Sequence, residues 1–438
     1  MQIKLKKLKF SNTIATTICY LIIFYQLLGF LVYDLGFPRS LIYLGDIITV
    51  WGAINLLYKQ KCLGKKYSWC MLMPIIIALI FLGGTIIGLL INKSSFFQYI
   101  WGFRNYFRYY IFFTLCISYV KLKDFECMMN IFYKLLIINV PISTYQVFIK
   151  GADRDHAGGL YGFVSGSNGY MNIFLIVVCT YYLLRYFKNL CSLKKLTIVL
   201  VSCFYLTVLG EIKVFFVEFV IILFISMILS KISMKKIIII MFSVIIVFIA
   251  NNYLNKINNY SYLGDKSGFF SYENIKEYLG RDSGYDGVGD LNRFTAIQQL
   301  DEKFFQNDTL GKVFGKGLGS ADYTQAIEVF KSEFYIQYNY LHYQWFSNAF
   351  MFIENGYFGV LIYCLFFIVV LFQGISIRKF SEKSKFYSDF IIIMVVMTII
   401  NFIYNISLRV EYSAYLMYLI LALPYIIYKE IRKEMRNA

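Results

Sequence analysis

Arg104 and Arg108 stand four residues apart in an apolar stretch that begins near Phe96. In a helix this spacing places both guanidinium groups on one face. If that helix enters the membrane near Phe96, its rise puts the two residues about 12 and 18 Å below the surface. An unpaired arginine at that depth costs at least about 3 kcal/mol, so an anionic partner is required. The partner is either Asp46 or Glu218 on another helix, or the pyrophosphate of a ligand held by bidentate hydrogen bonds.

Three side chains are candidates for accepting a proton: His156, His342 and Glu354. His156 lies in the glycine-rich loop 151–169, which can fold tightly against a ligand because glycine adopts many backbone conformations. Its neighbour Asp155 can raise the pKa of the imidazole. Glu354 follows an apolar run, where a carboxylate is costly without a function. The sequence leaves the choice among the three open.

The candidates for binding a phosphate or a sugar lie between apolar runs: Arg154, Glu211, Lys213, Arg293 and Lys316. The connection that carries Glu211 and Lys213 is short, which predicts a position at the membrane surface. The glycine run 315–319 lacks the spacing of a Walker A loop. It predicts a turn whose backbone amides can meet phosphate oxygens.

The elements that position these residues are membrane-spanning helices. Of the 438 residues, 59% are apolar and 16% are charged, and runs of about 20 apolar residues recur. We predict an all-α polytopic membrane protein of about twelve spans, with one membrane domain covering residues 1–438. The predicted spans are 12–33, 40–58, 70–91, 96–120, 127–149, 168–187, 195–210, 213–230, 237–255, 346–373, 387–408 and 412–428.

The net charge of +17 is unevenly distributed along the chain. Lys and Arg concentrate in alternate loops, and the positive-inside rule then predicts that both termini are cytosolic. The long polar segment 251–345, between spans 9 and 10, is predicted to be extracytoplasmic. Apolar positions at a spacing of three predict a short helix over 290–307, packed with the aromatic segment 321–345 on the outer face. The charge pattern favours membrane topology over nucleic-acid binding. The cysteines show neither a disulfide framework nor a metal-ligand spacing.

Several segments carry a resemblance to a known family. In chain order these are Gly159-Leu-Tyr161-Gly162 with Asn168, then Gly210-Glu211-Ile-Lys213, then the long outer loop with Arg293, then Phe346-Ser-Asn348 and Glu354-Asn-Gly356-Tyr-Phe-Gly359. From span 4 onward the chain resembles Wzy-type polysaccharide polymerases of the O-antigen polymerase and ligase superfamily. The single dominant outer loop is the strongest part of this resemblance.

The resemblance implies a metal-independent glycosyltransferase without a cofactor, in the cytoplasmic membrane of a bacterium. Its substrate would be undecaprenyl-pyrophosphate-linked oligosaccharide, polymerised into a capsule, O-antigen or exopolysaccharide with release of undecaprenyl pyrophosphate. Arg293 would bind the donor pyrophosphate. A chain-length regulator and a flippase of the same pathway are the implied protein partners.

The same chemistry leaves two rival interpretations. Many relatives, especially ligases, carry a His-Asn pair where this chain has Trp345-Phe346, which favours polymerase over ligase. Lys213 replaces the arginine that relatives often carry. A lipid-linked oligosaccharide flippase would also have about twelve spans and buried arginines, but it needs no outer loop of this size. In either transferase, cations must neutralise the leaving pyrophosphate while an acceptor hydroxyl is held behind the anomeric carbon.

Overall fold

A computed structural model describes residues 10–60, 69–92, 95–152, 154–229, 289–323 and 330–437, with isolated positions from 234 to 245. Within these ranges the regular structure is helical. We number the helices in chain order as α1 Thr13–Gly29, α2 Leu44–Gln60, α3 Trp69–Asn92, α4 Phe96–Tyr119, α5 Leu122–Phe148, α6 Ser167–Phe187, α7 Leu193–Leu209, α8 Lys213–Leu229, α9 Ala296–Phe304, α10 Thr309–Phe314, α11 Glu333–Tyr338, α12 Ser347–Ser376, α13 Glu382–Tyr404 and α14 Glu411–Asn437.

Eight helical segments in the described part are long and apolar enough to cross a membrane: Thr13–Asp34, Arg39–Tyr58, Leu72–Asn92, Leu122–Phe148, Ser167–Phe187, Ser347–Lys379, Glu382–Tyr404 and Glu411–Met435. Helices α4, α7 and α8 also coincide with predicted spans, although α7 and α8 have only 17 residues each. The predicted span 237–255 lies largely outside the described residues. The chain is an all-α membrane protein, and the count of twelve spans stays a prediction.

The helices differ in how much of their surface the rest of the protein covers. In α14 and α6, 78% of the most apolar window is buried inside the protein, compared with 17% in the segment that contains α2 and 33% in α3. Exposed Ile47, Val50 and Ile54 lie on α2. Apolar side chains so placed fit a lipid environment, because hydrocarbon tails solvate them as well as a protein core does. Helices α6 and α14 therefore form the centre of the bundle, and α2 and α3 its lipid-facing side.

The described part of the long loop packs against the first turns of α12. Leu300, Phe305, Phe334 and Phe350 are among the buried apolar residues that join α9, α11 and α12. The helix predicted over 290–307 is shorter than expected and covers only Ala296–Phe304. The residues before it instead run beside the chain near position 341, where the Leu291 amide donates to the Leu341 carbonyl at 3.0 Å. The first part of the loop, 251–288, lies outside the described residues.

The span predicted at 346–373 is broken at Gly356, which has φ 59° and ψ −164° within α12. The break exposes backbone carbonyls that an unbroken helix would satisfy internally. The glycine run supplies their donors: the Lys316 amide reaches the Ile353 carbonyl at 2.7 Å, and the Gly317 amide reaches the Glu354 carbonyl at 3.1 Å. The Gly-x-x-Gly pair at 356 and 359 therefore does more than allow helices to pack closely, since Gly356 also ends the short helix that carries Glu354.

Candidate functional site

The segment between α13 and α14, residues 405–410, is the point at which the functional elements meet. We call it the connector. The Asn405 carbonyl accepts hydrogen bonds from the Ser347 amide at 3.1 Å and from the Ser347 hydroxyl at 2.7 Å. The Ser407 hydroxyl donates to the Gly169 carbonyl at 3.1 Å. These bonds fix the connector against the starts of α12 and α6, and so fix the position of Arg409.

Arg409 is buried and paired with two carboxylates from distant parts of the chain. Its Nη2 lies 2.9 Å from Asp322 Oδ2, and its Nη1 lies 3.5 Å from Glu354 Oε2. Nη1 also donates to the Tyr106 hydroxyl at 3.1 Å. The guanidinium carbon lies 3.5 Å from the centre of the Phe350 ring. Arg409 thus joins the long loop, α4 and α12 in one place.

Arg104 and Arg108 meet carboxylates, as the sequence required. Arg104 Nη2 lies 2.6 Å from Asp46 Oδ2, and Arg108 Nη1 lies 2.5 Å from Glu411 Oε1. Each arginine also approaches the other carboxylate at 3.4 Å. Of the two predicted protein partners, Asp46 is confirmed. Glu218 is not a partner, because its carboxylate accepts from side-chain amides of α6 and α13.

The two sets of ion pairs are connected. Asn105 accepts from Arg104 Nη1 at 2.8 Å, and its amide donates to Asp322. We call the seven charged residues together the ion cluster: Asp46, Arg104, Arg108, Asp322, Glu354, Arg409 and Glu411. Its three guanidiniums face four carboxylates.

One side of the ion cluster is less buried than the rest. The Arg104 and Asp46 side chains are 20% and 21% exposed, compared with 5% for Arg108 and 0% for Glu354. Burial lowers the pKa of Arg409, but Tyr106, Asp322 and Glu354 together outweigh that effect and hold the pKa above its ordinary value. Arg409 is therefore a fixed positive charge, while Arg104 and Asp46 form the rim.

Aromatic rings surround the rim. The Arg104 guanidinium carbon lies 4.6 Å from the centre of the Trp101 ring and 5.0 Å from that of Tyr43. Trp101 stacks on Phe330 of the long loop at 5.0 Å. Among the described residues the Trp101 indole N–H has no hydrogen-bond partner. The rim therefore combines a partly exposed guanidinium with flat aromatic faces, which suit an anionic group attached to a sugar.

Arg293 and His342 each lie beside the start of α12, outside the ion cluster. The Arg293 guanidinium carbon is 4.1 Å from the centre of the Tyr404 ring, and the Arg293 carbonyl accepts from the Asn348 side chain at 3.2 Å. His342 stacks on Trp345 at 3.9 Å, with its Nδ1 3.9 Å from Asp290 Oδ2. This second group flanks the first turn of α12, whose later residues Phe350 and Glu354 contact Arg409.

Lys316 and the glycine run contact other parts of the protein. The Lys316 ammonium lies 5.3 to 5.9 Å from the ring centres of Phe304, Phe305 and Phe334. The Gly319 amide donates to Glu354 Oε1 at 2.9 Å. The predicted turn exists, yet its amides bind the carbonyls and the carboxylate of α12 where phosphate oxygens were expected. Glu354, also held by Arg409, is fully buried, and its geometry is that of a positioning residue.

The remaining predicted residues form a third group near the start of α6. The glycine-rich loop is buried against α5, where Gly159 exchanges hydrogen bonds with Gln146 at 2.7 and 3.1 Å. His156 is a partly exposed residue of this loop, and among the described residues its Nδ1 has no hydrogen-bond partner.

The connection between α7 and α8 borders the same region. The Asn168 side chain donates to Asp155 and to the Gly210 carbonyl, both at 3.2 Å. Glu211, at φ 48°, and Lys213 follow directly after that carbonyl. The side chain of Arg154 lies outside the part of the chain that is described.

The fold defines the class as a helical membrane protein with a buried ion cluster. Comparison with models of known protein families and with curated proteins yields no match for the chain. Within the described residues no group of three or more His, Cys, Asp or Glu side chains could hold a metal ion. The function is therefore inferred from the site.

Proposed function

We propose that this protein polymerises undecaprenyl-pyrophosphate-linked oligosaccharide repeat units into a surface polysaccharide at the outer face of the bacterial cytoplasmic membrane. The observation that carries the proposal is the partly exposed Arg104 at the rim of the ion cluster. A guanidinium there suits a pyrophosphate at the membrane surface, and the long loop beside it suits a water-soluble glycan. The resemblance to Wzy-type polymerases agrees with this placement.

In the proposed binding step the donor pyrophosphate replaces Asp46 as the hydrogen-bond acceptor of the Arg104 guanidinium. Without the ligand, Asp46 Oδ2 accepts hydrogen bonds from Arg104 Nε at 3.0 Å and from Arg104 Nη2 at 2.6 Å. A phosphate oxygen can accept the same two hydrogen bonds. Arg108 stays paired with Glu411 and adds positive charge behind Arg104. The exchange releases the Asp46 carboxylate at the edge of the ligand.

In the proposed transfer step the acceptor hydroxyl oxygen bonds to the anomeric carbon of the donor sugar. The bond between that carbon and the pyrophosphate oxygen breaks, and its electron pair leaves with undecaprenyl pyrophosphate. Asp46, released by the exchange, accepts the hydroxyl proton. Preorganised cations lower the barrier because they meet the charge that develops on the leaving group. Arg409 and Glu354 hold the part of α12 before Gly356 and the long loop in position around this site.

The experiment is deletion of the gene in the native host, followed by sizing of surface glycan and of lipid-linked intermediates on gels. Loss of long chains, with single repeat units still reaching the outer face, is the result expected for a polymerase. Accumulation of lipid-linked polymer that is not attached would indicate a ligase. Single units trapped inside would indicate a flippase. Either of the last two results would overturn the proposal.

A further inference from the structure

A second cluster of charges lies at the opposite end of the bundle from the ion cluster. It forms where α6, α8 and α12 end and α13 begins. Arg378 and Lys188 contact the side chain of Asp389 in α13, and Lys236 and Lys385 lie near enough to add positive charge. Arg378 Nη2 lies 3.2 Å from Asp389 Oδ1, and Lys188 Nζ lies 3.9 Å from Oδ2. We call these residues the basal cluster.

The cations of the basal cluster outnumber the carboxylates near them. Asp389 is 2% exposed and is the only buried carboxylate among the described residues of the cluster. The other carboxylate, Glu382, is 83% exposed and lies 3.8 Å from Lys188 and 3.9 Å from Lys385. An exposed pair of this kind contributes little, because water screens it. The cluster therefore keeps a net positive charge after Asp389 is neutralised.

Two of the cations are held by backbone carbonyls. Arg378 Nη2 donates to the Leu229 carbonyl at the end of α8. Lys236 donates to the Ser226 carbonyl at 3.3 Å, and its ammonium lies 5.4 Å from the centre of the Phe187 ring. The side chains of Lys188, Arg378 and Lys385 remain 22%, 31% and 37% exposed. A group of cations at helix ends, beside an aromatic ring, is typical of the depth of lipid headgroups.

We propose that the basal cluster binds the phosphate headgroup of an anionic phospholipid. The phosphodiester would accept hydrogen bonds from the exposed sides of Lys188, Arg378 and Lys385, while the Leu229 carbonyl holds Arg378 from within. Basic pockets between the ends of transmembrane helices bind anionic headgroups in this manner. The lipid's acyl chains would lie against the apolar outer faces of the same helices. This site is independent of the ion cluster and of the proposed polymerase activity.

The test uses the purified full chain in micelles that contain phosphatidylglycerol and phosphatidylcholine, with retained lipids counted by native mass spectrometry. We expect phosphatidylglycerol to be enriched at least about fivefold over its share of the micelle, since each basic residue near an anionic headgroup contributes roughly a fivefold preference. The double variant Lys188→Gln/Arg378→Gln should lose this enrichment. The matched control is Lys383→Gln. Lys383 is 62% exposed and is paired with Glu126 near the same end of the bundle. This variant should keep the phosphatidylglycerol enrichment.

A second variant keeps the proposal testable if the double variant does not fold. Asp389→Asn removes the buried negative charge and leaves all four cations, so lipid enrichment should persist or increase. Loss of enrichment in Asp389→Asn, an equal loss in the control, or no enrichment in the wild type would each overturn the proposal. Displacement of the lipid by millimolar inorganic phosphate would show a site for free anions and would overturn it as well.

Discussion

Replacing Gly356 by alanine should destabilise the protein more than any ordinary glycine substitution in a helix. Its backbone conformation, φ 59° and ψ −164°, belongs to a region that only glycine adopts without strain. An added Cβ would lie 2.4 Å from the Val313 carbonyl oxygen and 2.5 Å from that of Lys312, about 1 Å short of an ordinary contact of 3.4 Å. Both obstacles are backbone atoms, which cannot rotate away as a side-chain end can.

The strained conformation alone costs about 1 to 3 kcal/mol, and the two contacts add to it. We therefore expect the free energy of unfolding to fall by about 3 kcal/mol or more, which is a change of roughly 100-fold in the unfolding equilibrium. The assay is reversible unfolding by SDS in mixed micelles, followed by circular dichroism. The control is Gly83→Ala in α3, where an added Cβ meets nothing within 4 Å and helix propensity favours alanine by up to about 1 kcal/mol. Equal unfolding curves for the two variants would refute the account of the break in α12.

Three further predictions concern the charged groups. Arg409→Gln should lower the unfolding free energy by about 3 to 5 kcal/mol, because it leaves buried carboxylates unpaired. Adding Asp322→Asn should restore part of that loss in the same SDS assay, and a double variant less stable than Arg409→Gln would contradict the pairing. Arg104→Lys should reduce polymer formation at least about tenfold by removing the bidentate fork, whereas an unchanged glycan ladder would exclude Arg104 as the pyrophosphate ligand. Arg293→Ala should shorten or deplete the polymer, and unchanged length and amount in a stably inserted variant would show that the resemblance assigned its role wrongly.

The positions of the membrane-spanning helices could be predicted from the sequence because runs of about 20 apolar residues mark them. Helices α1 to α8 and α12 to α14 lie where apolar runs predicted spans. The need of Arg104 and Arg108 for an anionic partner could also be predicted from their depth, but the sequence left Asp46, Glu218 and a ligand pyrophosphate as alternatives. The helix over 290–307 came out too long, because its apolar spacing continues through residues whose backbone instead hydrogen-bonds to the chain near Leu341.

The rest of the site could not be predicted from local patterns. Arg409 meets Asp322 and Glu354, which lie 87 and 55 residues away along the chain. Helical and strand periodicities relate only residues that are close in the chain, so they could not pair the connector with the long loop. The residues around Asp322 form no motif that would mark it as a partner. The break at Gly356 was hidden for a similar reason, because a single positive φ leaves the apolar pattern of α12 unchanged. One signal was present in the sequence. Glu354 is a charged residue two positions before Gly356 within an apolar run, and this pattern is typical of a break in a helix.

The most direct measurement of the proposed function is polymerisation by the purified protein in liposomes that contain undecaprenyl-pyrophosphate-linked repeat units. The products are resolved on a gel, and released undecaprenyl pyrophosphate is quantified in the same samples. The account predicts a ladder of lengthening chains with one undecaprenyl pyrophosphate released per bond formed, and a loss of about 100-fold or more in Asp46→Asn. A wild-type protein that is folded and inserted but yields neither ladder nor undecaprenyl pyrophosphate would contradict the central claim.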